Sequence, residues 1–149
     1  MKNVTIRRAT GEDAASLTEL MHASGAYRGR YASIIAGYRV TADYVARHQV
    51  FVADGEHGEL LGFYGLVLDP PELDLAFVAD PAQGTGIGRR LVRHMLARAR
   101  AAGLTGVRVV AHPPATDFYR RLGAQRTGTV APTPPKVTWE RPELRFDTA

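Results

Sequence analysis

The chain has 149 residues, which is the length of one domain, and its 45% hydrophobic and 23% charged residues exclude disorder as its main state. It has no cysteine, and this excludes disulfides, thiolate nucleophiles and cysteine-ligated metal centres. No apolar run approaches the roughly 18 residues of a membrane span, and the first ten residues lack the apolar core of a signal peptide. We therefore expect a single domain, residues 1–149, in the cytoplasm, without a membrane partner.

The net charge of +4 is modest, but the basic residues are unevenly placed. Of the 19 basic residues 17 are arginine, and nine of these lie between Pro81 and Arg126, where Asp117 is the only acid. Such a block is typical of a nucleic-acid surface, of a site for a phosphorylated small ligand, or of a solvated helix face. Composition alone leaves these alternatives open.

The first elements predicted in chain order are a strand and a helix. Val4, Ile6 and Arg8 alternate with polar neighbours, as residues of a strand do. Residues 10–13 read as a capping box, which predicts that a helix begins there. Residues 23–40 are ambiguous, and Thr41 is a candidate N-cap for a short helix that ends near residue 48.

Hydrophobic spacing predicts the remaining elements. Ile87, Leu91, Met95 and Ala99 form one row of a long helix that ends at Gly103. Alternating apolar residues and turn residues predict the strands around it. The predicted elements after residue 48 are strands at 49–53, 60–68 and 72–79, a helix at 86–103, a strand at 105–111, a short helix at 114–122 and two further strands up to residue 146. This order predicts an α/β or α+β domain with a mixed sheet.

The loop before the long helix is rich in glycine. Gly84, Gly86 and Gly88 alternate with other residues, and Arg89 follows them. Glycine lets a ligand approach the backbone closely, and the N–H groups at a helix start favour an anion. The loop therefore predicts a phosphate site, or else a tight turn packed by glycines. Arg89 stands where a Rossmann fingerprint needs its third glycine, and the Lys-Ser/Thr pair of a P-loop is missing.

Two short patterns in the chain resemble one known family. Residues 83–88 read Q-x-x-G-x-G, which resembles the acetyl-CoA motif of the GCN5-related N-acetyltransferases (GNAT), and residues 115–123 match the A-x-x-F-Y-x-x-x-G signature of that family. The resemblance covers the whole strand order and is strongest over residues 72–128. It implies a small single-domain member with a mixed, mostly antiparallel sheet of six to seven strands, splayed between strands 4 and 5 and flanked by about four helices.

The resemblance implies that acetyl-CoA is the acyl donor. The backbone of residues 84–89 would hold the pyrophosphate, and free backbone groups at the end of the fourth strand would bind the pantetheine arm. His112 replaces an asparagine common in the family, and its role is open between a cofactor partner and a base. The positions implied for the cofactor are Phe77, Val78, Ala79, Gly84, Thr85, Gly86, Ile87, Gly88, Arg89 and His112.

The resemblance also implies catalytic residues. Tyr119 matches the tyrosine with which family members protonate the departing thiolate, although a core tyrosine is the alternative. Glu72 lies where one branch of the family has its base, and Asp74 follows on the same strand face. Glu72, Asp74 and His112 all remain candidates for the base, with Glu72 favoured over a solvent-facing acid pair.

The function implied is transfer of an acetyl group from acetyl-CoA to a primary amine of a small molecule or of a peptide or protein N-terminus, by direct attack in a ternary complex. The alternatives are a non-enzymatic acyl-CoA-binding regulatory module and an acetyltransferase for a tRNA-linked amine, so nucleic acid is the less favoured partner. The histidines show no ligand spacing, and no metal is expected. The acceptor, a longer acyl donor and the oligomeric state, a homodimer included, stay open. Candidates for the substrate mouth are Tyr27, Tyr31, Tyr38, Arg28 and Arg39.

Overall fold

A computed structural model of the protein describes residues 3–149 and contains one seven-stranded sheet. The strand order is β1-β2-β3-β4-β5-β7-β6, and all neighbours are antiparallel except β4 and β5, which are parallel. The strands are β1 (Thr5–Arg8), β2 (Gln49–Asp54), β3 (Leu60–Leu68), β4 (Pro71–Val78), β5 (Gly106–Val110), β6 (Gln125–Val130) and β7 (Arg141–Asp147). The predicted mixed, mostly antiparallel sheet is confirmed.

Four α-helices flank the sheet, as predicted. They are α1 (Ala14–Ala23), α2 (Ala42–Arg47), α3 (Ile87–Ala101) and α4 (Thr116–Arg121). The ambiguous segment 23–40 contains two 3₁₀ turns, Gly25–Tyr27 and Gly29–Ile34, and no strand. Among the helices of residues 3–149, none has the length and apolar character needed to cross a membrane.

Local hydrogen bonds fix the starts of α1 and α2. The amide of Thr10 donates to Asp13 Oδ2 at 2.8 Å, and the Asp13 carboxylate also binds Arg7 of β1 at 2.9 Å. The side chain of Thr41 accepts from the amide of Tyr44 at 3.0 Å. Both contacts satisfy backbone donors that a helix start leaves unpaired, which is why the capping residues predicted these boundaries.

The sheet separates two hydrophobic cores. On one face α3 packs through residues such as Leu91 and Met95. On the other face Leu17 and Met21 of α1 pack against Phe63 of β3. Each face takes alternate residues of the strands, so the sheet is covered on both sides and its middle strands are nearly all apolar.

A bulge in β4 changes the alternation of its side chains. Leu73 pairs with Leu66 of β3, whereas Leu75 pairs with Gly65, so Asp74 is an extra residue. As a result Leu73 lies in the core on the α3 face, and Leu75 packs on the opposite face. Bulges of this kind redirect side chains and often lie beside functional sites.

We expect Gly62→Ala to destabilise the fold by about 1–3 kcal/mol, because overpacking at a buried strand forces a backbone shift. A Cβ at Gly62 would lie 2.7 Å from the carbonyl oxygen of Phe77 in β4 and 3.0 Å from Leu91 Cδ1 of α3. Urea unfolding measures the loss. Gly128→Ala on β6 is the matched control, since a Cβ there meets no atom within 4 Å, and it should change the free energy of unfolding by less than about 0.5 kcal/mol. Equal effects of the two substitutions would contradict this packing.

Candidate active site

Open space lies above two glycines of the loop between β4 and α3. Gly84 and Gly86 have φ angles of +78° and +87°, which residues with a Cβ rarely adopt. A Cβ built on either would meet no atom within 4 Å. At Gly88, by contrast, a Cβ would lie 3.1 Å from the ring of Phe118. The first two glycines therefore leave room for a ligand, and the third lets α3 pack against α4.

At the start of α3, several backbone amides lie before the first backbone hydrogen bond of the helix. That bond runs from the amide of Arg90 to the carbonyl of Gly86 at 3.1 Å, so the amides of residues 87–89 have no partner within the helix. The positive end of the helix dipole points the same way. The exposed Arg89 and Arg93 line the adjoining cleft. This arrangement suits an anion, and a phosphate above all.

The strands β4 and β5 separate beyond a single register pair. That pair is Glu72 with Arg108, and no other is formed between the two strands within residues 3–149. The predicted splay is therefore confirmed. A cleft of about 1020 Å³ opens at the splay and reaches the loop at Gly84, the aromatic side chain of Tyr27 and the guanidinium of Arg141.

The backbone groups at the end of β4 already have partners within the protein. The amide of Ala79 donates to the carbonyl of Leu61 at 2.8 Å, and its own carbonyl accepts from the amide of Ala82 at 2.8 Å. The expected contact of Ala79 with the cofactor stays a prediction. The carbonyl of Val78 accepts from Gln83 Nε2 at 3.3 Å. Gln83 thus stabilises the splayed strand end, a role that its place in the motif did not reveal.

Tyr119 has its ring in the core and lines the cleft. The residue is 8% exposed, and its ring packs against Phe118 and Phe146 at centroid distances of 5.2 and 6.4 Å. Burial raises the pKa of its hydroxyl above the usual value, and the nearby Tyr27 adds to the rise. The hydroxyl therefore keeps its proton at neutral pH and can donate a hydrogen bond to a group in the cleft.

Glu72 is held in place by an arginine of the next strand. Its Oε1 accepts from Arg108 Nη1 at 3.1 Å, and Arg108 Nε lies 3.1 Å from Oε2 of Glu143 on β7. The Glu72 side chain is one-quarter exposed and lines the cleft. One of its two oxygens is therefore occupied, and the other is left for a ligand.

Asp74, at the bulge, lines the same cleft. Tyr44 of α2 donates its hydroxyl hydrogen to Asp74 Oδ2 at 2.7 Å. Burial raises the pKa of the Tyr44 hydroxyl, and the charge of Asp74 raises it further. Tyr44 therefore remains a donor, which fixes one oxygen of Asp74 and leaves the carboxylate exposed to solvent.

His112 anchors the 3₁₀ turn Gly25–Tyr27. Its Nε2 lies 2.6 Å from the carbonyl of Ala26, and its ring stacks on Tyr27 at 4.1 Å. Because a carbonyl only accepts, Nε2 carries the hydrogen and the neutral ring has a lone pair on Nδ1. Burial lowers the pKa of His112, although the bond to Ala26 opposes this. The ring is therefore neutral at pH 7, and its sequence-predicted role in cofactor binding stays a prediction.

Asp80 joins the connection between β4 and α3 to the segment 23–40. The amide of Gly25 donates to both of its carboxylate oxygens, at 3.0 and 3.1 Å, and Arg28 lies 3.7 Å away. Local sequence patterns do not reveal this contact, because the two partners are 55 positions apart.

The candidates for the substrate mouth fall into two groups. Tyr27 and Tyr38 line the cleft, whereas Tyr31 packs on His112. The side chain of Arg28 turns to Asp80, and the exposed Arg39 is not among the residues that line the cleft.

Residues 18–124 match the model of the acetyltransferase (GNAT) family. The chain belongs to this family. It is 27% identical over 134 residues to the peptidyl-lysine N-acetyltransferase YjaB of Salmonella typhimurium, covering 84% of this chain and 86% of the relative. The expected family and the expected acyl-CoA-dependent N-acetyltransferase are confirmed.

Solved structures agree with this fold. A GCN5-related N-acetyltransferase from Rhodopseudomonas palustris is similar with a TM-score of 0.80 and 20% identity, over 99% of this chain and 97% of that one. PaiA N-acetyltransferase from Thermoplasma acidophilum, solved in complex with coenzyme A, has a TM-score of 0.78 and 16% identity, over 97% and 99% of the two chains. In the part of this GNAT protein that the structure describes, no three His, Asp or Glu side chains converge as a metal ion requires.

We expect Asp80→Ala to loosen the turn Gly25–Tyr27, because the Gly25 amide loses both carboxylate contacts. Hydrogen–deuterium exchange of the turn should be about tenfold faster, as expected for the loss of one charge-assisted hydrogen bond. Asp117→Ala removes an exposed acid of α4 and is the control. Unchanged exchange in the Asp80 variant would show that this contact does not hold the turn.

Proposed function

We propose that this GNAT protein transfers the acetyl group of acetyl-CoA to the primary amine of a small molecule or of a peptide N-terminus, by direct attack in a ternary complex. One observation supports the proposal above the others: an anion site, a protonated buried tyrosine and two carboxylates all line one cleft. Each of these groups has a separate task in acetyl transfer.

The residues at the start of α3 fit the cofactor. Acetyl-CoA, when bound here, would supply the acetyl group as a thioester, and the CoA thiolate would be the leaving group. The amides of residues 87–89 and the side chains of Arg89 and Arg93 are placed to bind its phosphates. Gly84 and Gly86 leave the space that such a group needs. Phe77 and Val78, at the splayed end of β4, line the path into the sheet.

Tyr119 is the proposed proton donor. CoA leaves more easily when its sulfur receives a proton, and the buried hydroxyl of Tyr119 holds such a proton at neutral pH. The rigid packing of the ring against Phe118 and Phe146 fixes the direction of that hydroxyl.

Glu72 and Asp74 are the residues that we propose to bind the ammonium form of the amine and to accept its proton. An amine is mostly ammonium at neutral pH, so it must be bound as a cation and then lose a proton before it attacks. Each carboxylate has one oxygen bonded within the protein, to Arg108 and to Tyr44 respectively. The remaining oxygens are suited to bind the ammonium and to accept its proton, directly or through water.

We expect Gly86→Asp to abolish binding of acetyl-CoA, because it adds a side chain and a negative charge where the anion is held. Calorimetric titration measures this. Gly103→Asp is a matched control, since Gly103 also has a positive φ of +79° and open space around it but lies at the other end of α3. Binding of acetyl-CoA to the Gly86 variant with wild-type affinity would contradict the proposed phosphate site at the start of α3.

We expect Tyr119→Phe to lower kcat by about 100-fold or more while the KM for acetyl-CoA stays unchanged, because general acid catalysis contributes about 10²–10⁴ to a rate. Release of free thiol with an amine measures the rate. Tyr64→Phe is the control, because it also removes a buried hydroxyl, one that is bonded to His94 Nδ1 at 2.8 Å. An unchanged kcat in Tyr119→Phe would leave Tyr119 as a packing residue.

A further inference from the structure

Three buried side-chain nitrogens within residues 3–149 have no hydrogen-bond partner: His112 Nδ1, Trp139 Nε1 and Arg141 Nε. His112 and Trp139 belong to one aromatic group, and His112 and Arg141 both line the cleft. The ring of Tyr31 contacts those of His112 and Trp139 at centroid distances of 4.6 and 5.0 Å. Tyr27 stacks on His112 from another side. Buried polar atoms are nearly always paired, so the unpaired Nε of Arg141, a residue that lines the cleft, indicates a polar partner there.

Arg141 is the charged member of this group. It begins β7, opposite Val130 of β6, and lines the cleft. Tyr27 lines the same cleft; burial raises the pKa of its hydroxyl to about 12, and the charge of Arg141 opposes that rise. Its side chain has no carboxylate within 4.0 Å in the described chain, in contrast to Arg108, which binds two. The guanidinium of Arg141 is therefore a cation without a neighbouring carboxylate among the described residues.

The chemistry of the missing partner follows from the donors. An arginine side chain only donates hydrogen bonds, so the partner of Arg141 accepts them, whereas the lone pair of His112 Nδ1 needs a separate donor. A guanidinium fork matches the two oxygens of a carboxylate. The phosphates of the cofactor have their own amides and the exposed Arg89 and Arg93 at the start of α3. The counter-charge of Arg141 is therefore expected on the acceptor.

We infer that Arg141 binds a carboxylate of the acceptor, so that the substrate class is a small amine that also carries a carboxylate, an amino acid in the broad sense. The inference rests on the proposed function, because it names the acceptor of the same cleft. The ammonium lies towards Asp74 and Glu72, the carboxylate lies at Arg141, and the apolar body packs among side chains such as Tyr38, Ile34 and Phe77.

Binding of a carboxylate without an amine tests the inference directly. The probes are 3-phenylpropionate and its neutral amide, 3-phenylpropionamide, followed by the fluorescence of Trp139, the single tryptophan of the chain. The wild-type protein should bind the acid about tenfold more tightly than the amide, as a charge-assisted pair predicts. Arg141→Gln should bind both equally. Arg141→Lys, which keeps the charge without the fork, should show a smaller preference than wild type.

The control is Arg100→Gln, which removes an exposed arginine from the end of α3 and should keep the tenfold preference. Equal affinities for acid and amide in the wild type would overturn the inference, and so would a full preference in Arg141→Gln. If Arg141→Gln does not fold, Arg141→Lys takes its place in the test. A full preference of that variant for the acid over the amide counts against a carboxylate bound by both arms of the guanidinium.

A turnover assay separates the two proposals. Thiol release from acetyl-CoA is compared with L-phenylalanine, L-phenylalaninamide and phenethylamine as acceptors. Faster turnover of L-phenylalanine than of the other two amines, through a lower KM, supports both the proposed reaction and the carboxylate site if Arg141→Gln loses this preference. Turnover of all three without preference keeps the acetyltransferase and overturns the carboxylate site. A binding preference for 3-phenylpropionate without thiol release from any amine keeps the site and overturns the proposed reaction.

Discussion

The separation of β4 from β5 is the constraint on which the rest of the site depends. The two parallel strands share one register pair, Glu72 with Arg108, and Arg108 also binds Glu143 of β7. This ion-pair group joins three strands at one end of the gap. Beyond it β4 lacks a neighbouring strand on its β5 side, and such an edge needs partners from a side chain or a ligand. Gln83 supplies one of them, to the carbonyl of Val78.

The same gap brings opposite charges into one cleft. The dipole and the arginines of α3 make its cofactor end positive, and Asp74 and Glu72 place negative charge on the strand beside it. Tyr119 is held neutral by its burial in the core. Under the proposed function, this separation would let an anionic donor and a cationic amine bind in one cleft without competing for the same groups.

Local patterns predicted the elements and the cofactor loop because each depends on neighbouring residues. Thr41 and Asp13 cap their helices through contacts with residues three positions away. The glycines at 84 and 86 have the positive φ angles that a sharp turn requires. The family resemblance then drew attention to Tyr119, which lies in the cleft. In each case the signal lies within a few residues of the feature that it predicts.

The sequence by itself determined the secondary-structure elements, their capping residues and the glycine-rich loop before α3. Only the tertiary structure decided which side chains meet in the cleft. The local pattern does not show that the amide of Ala79 donates to the carbonyl of Leu61 in β3. The contact of Asp80 with Gly25 joins residues far apart in the chain, and so does the cleft that both Arg141 and Tyr27 line. Such contacts depend on strand register and on the one-residue bulge at Asp74, which no spacing of apolar residues encodes.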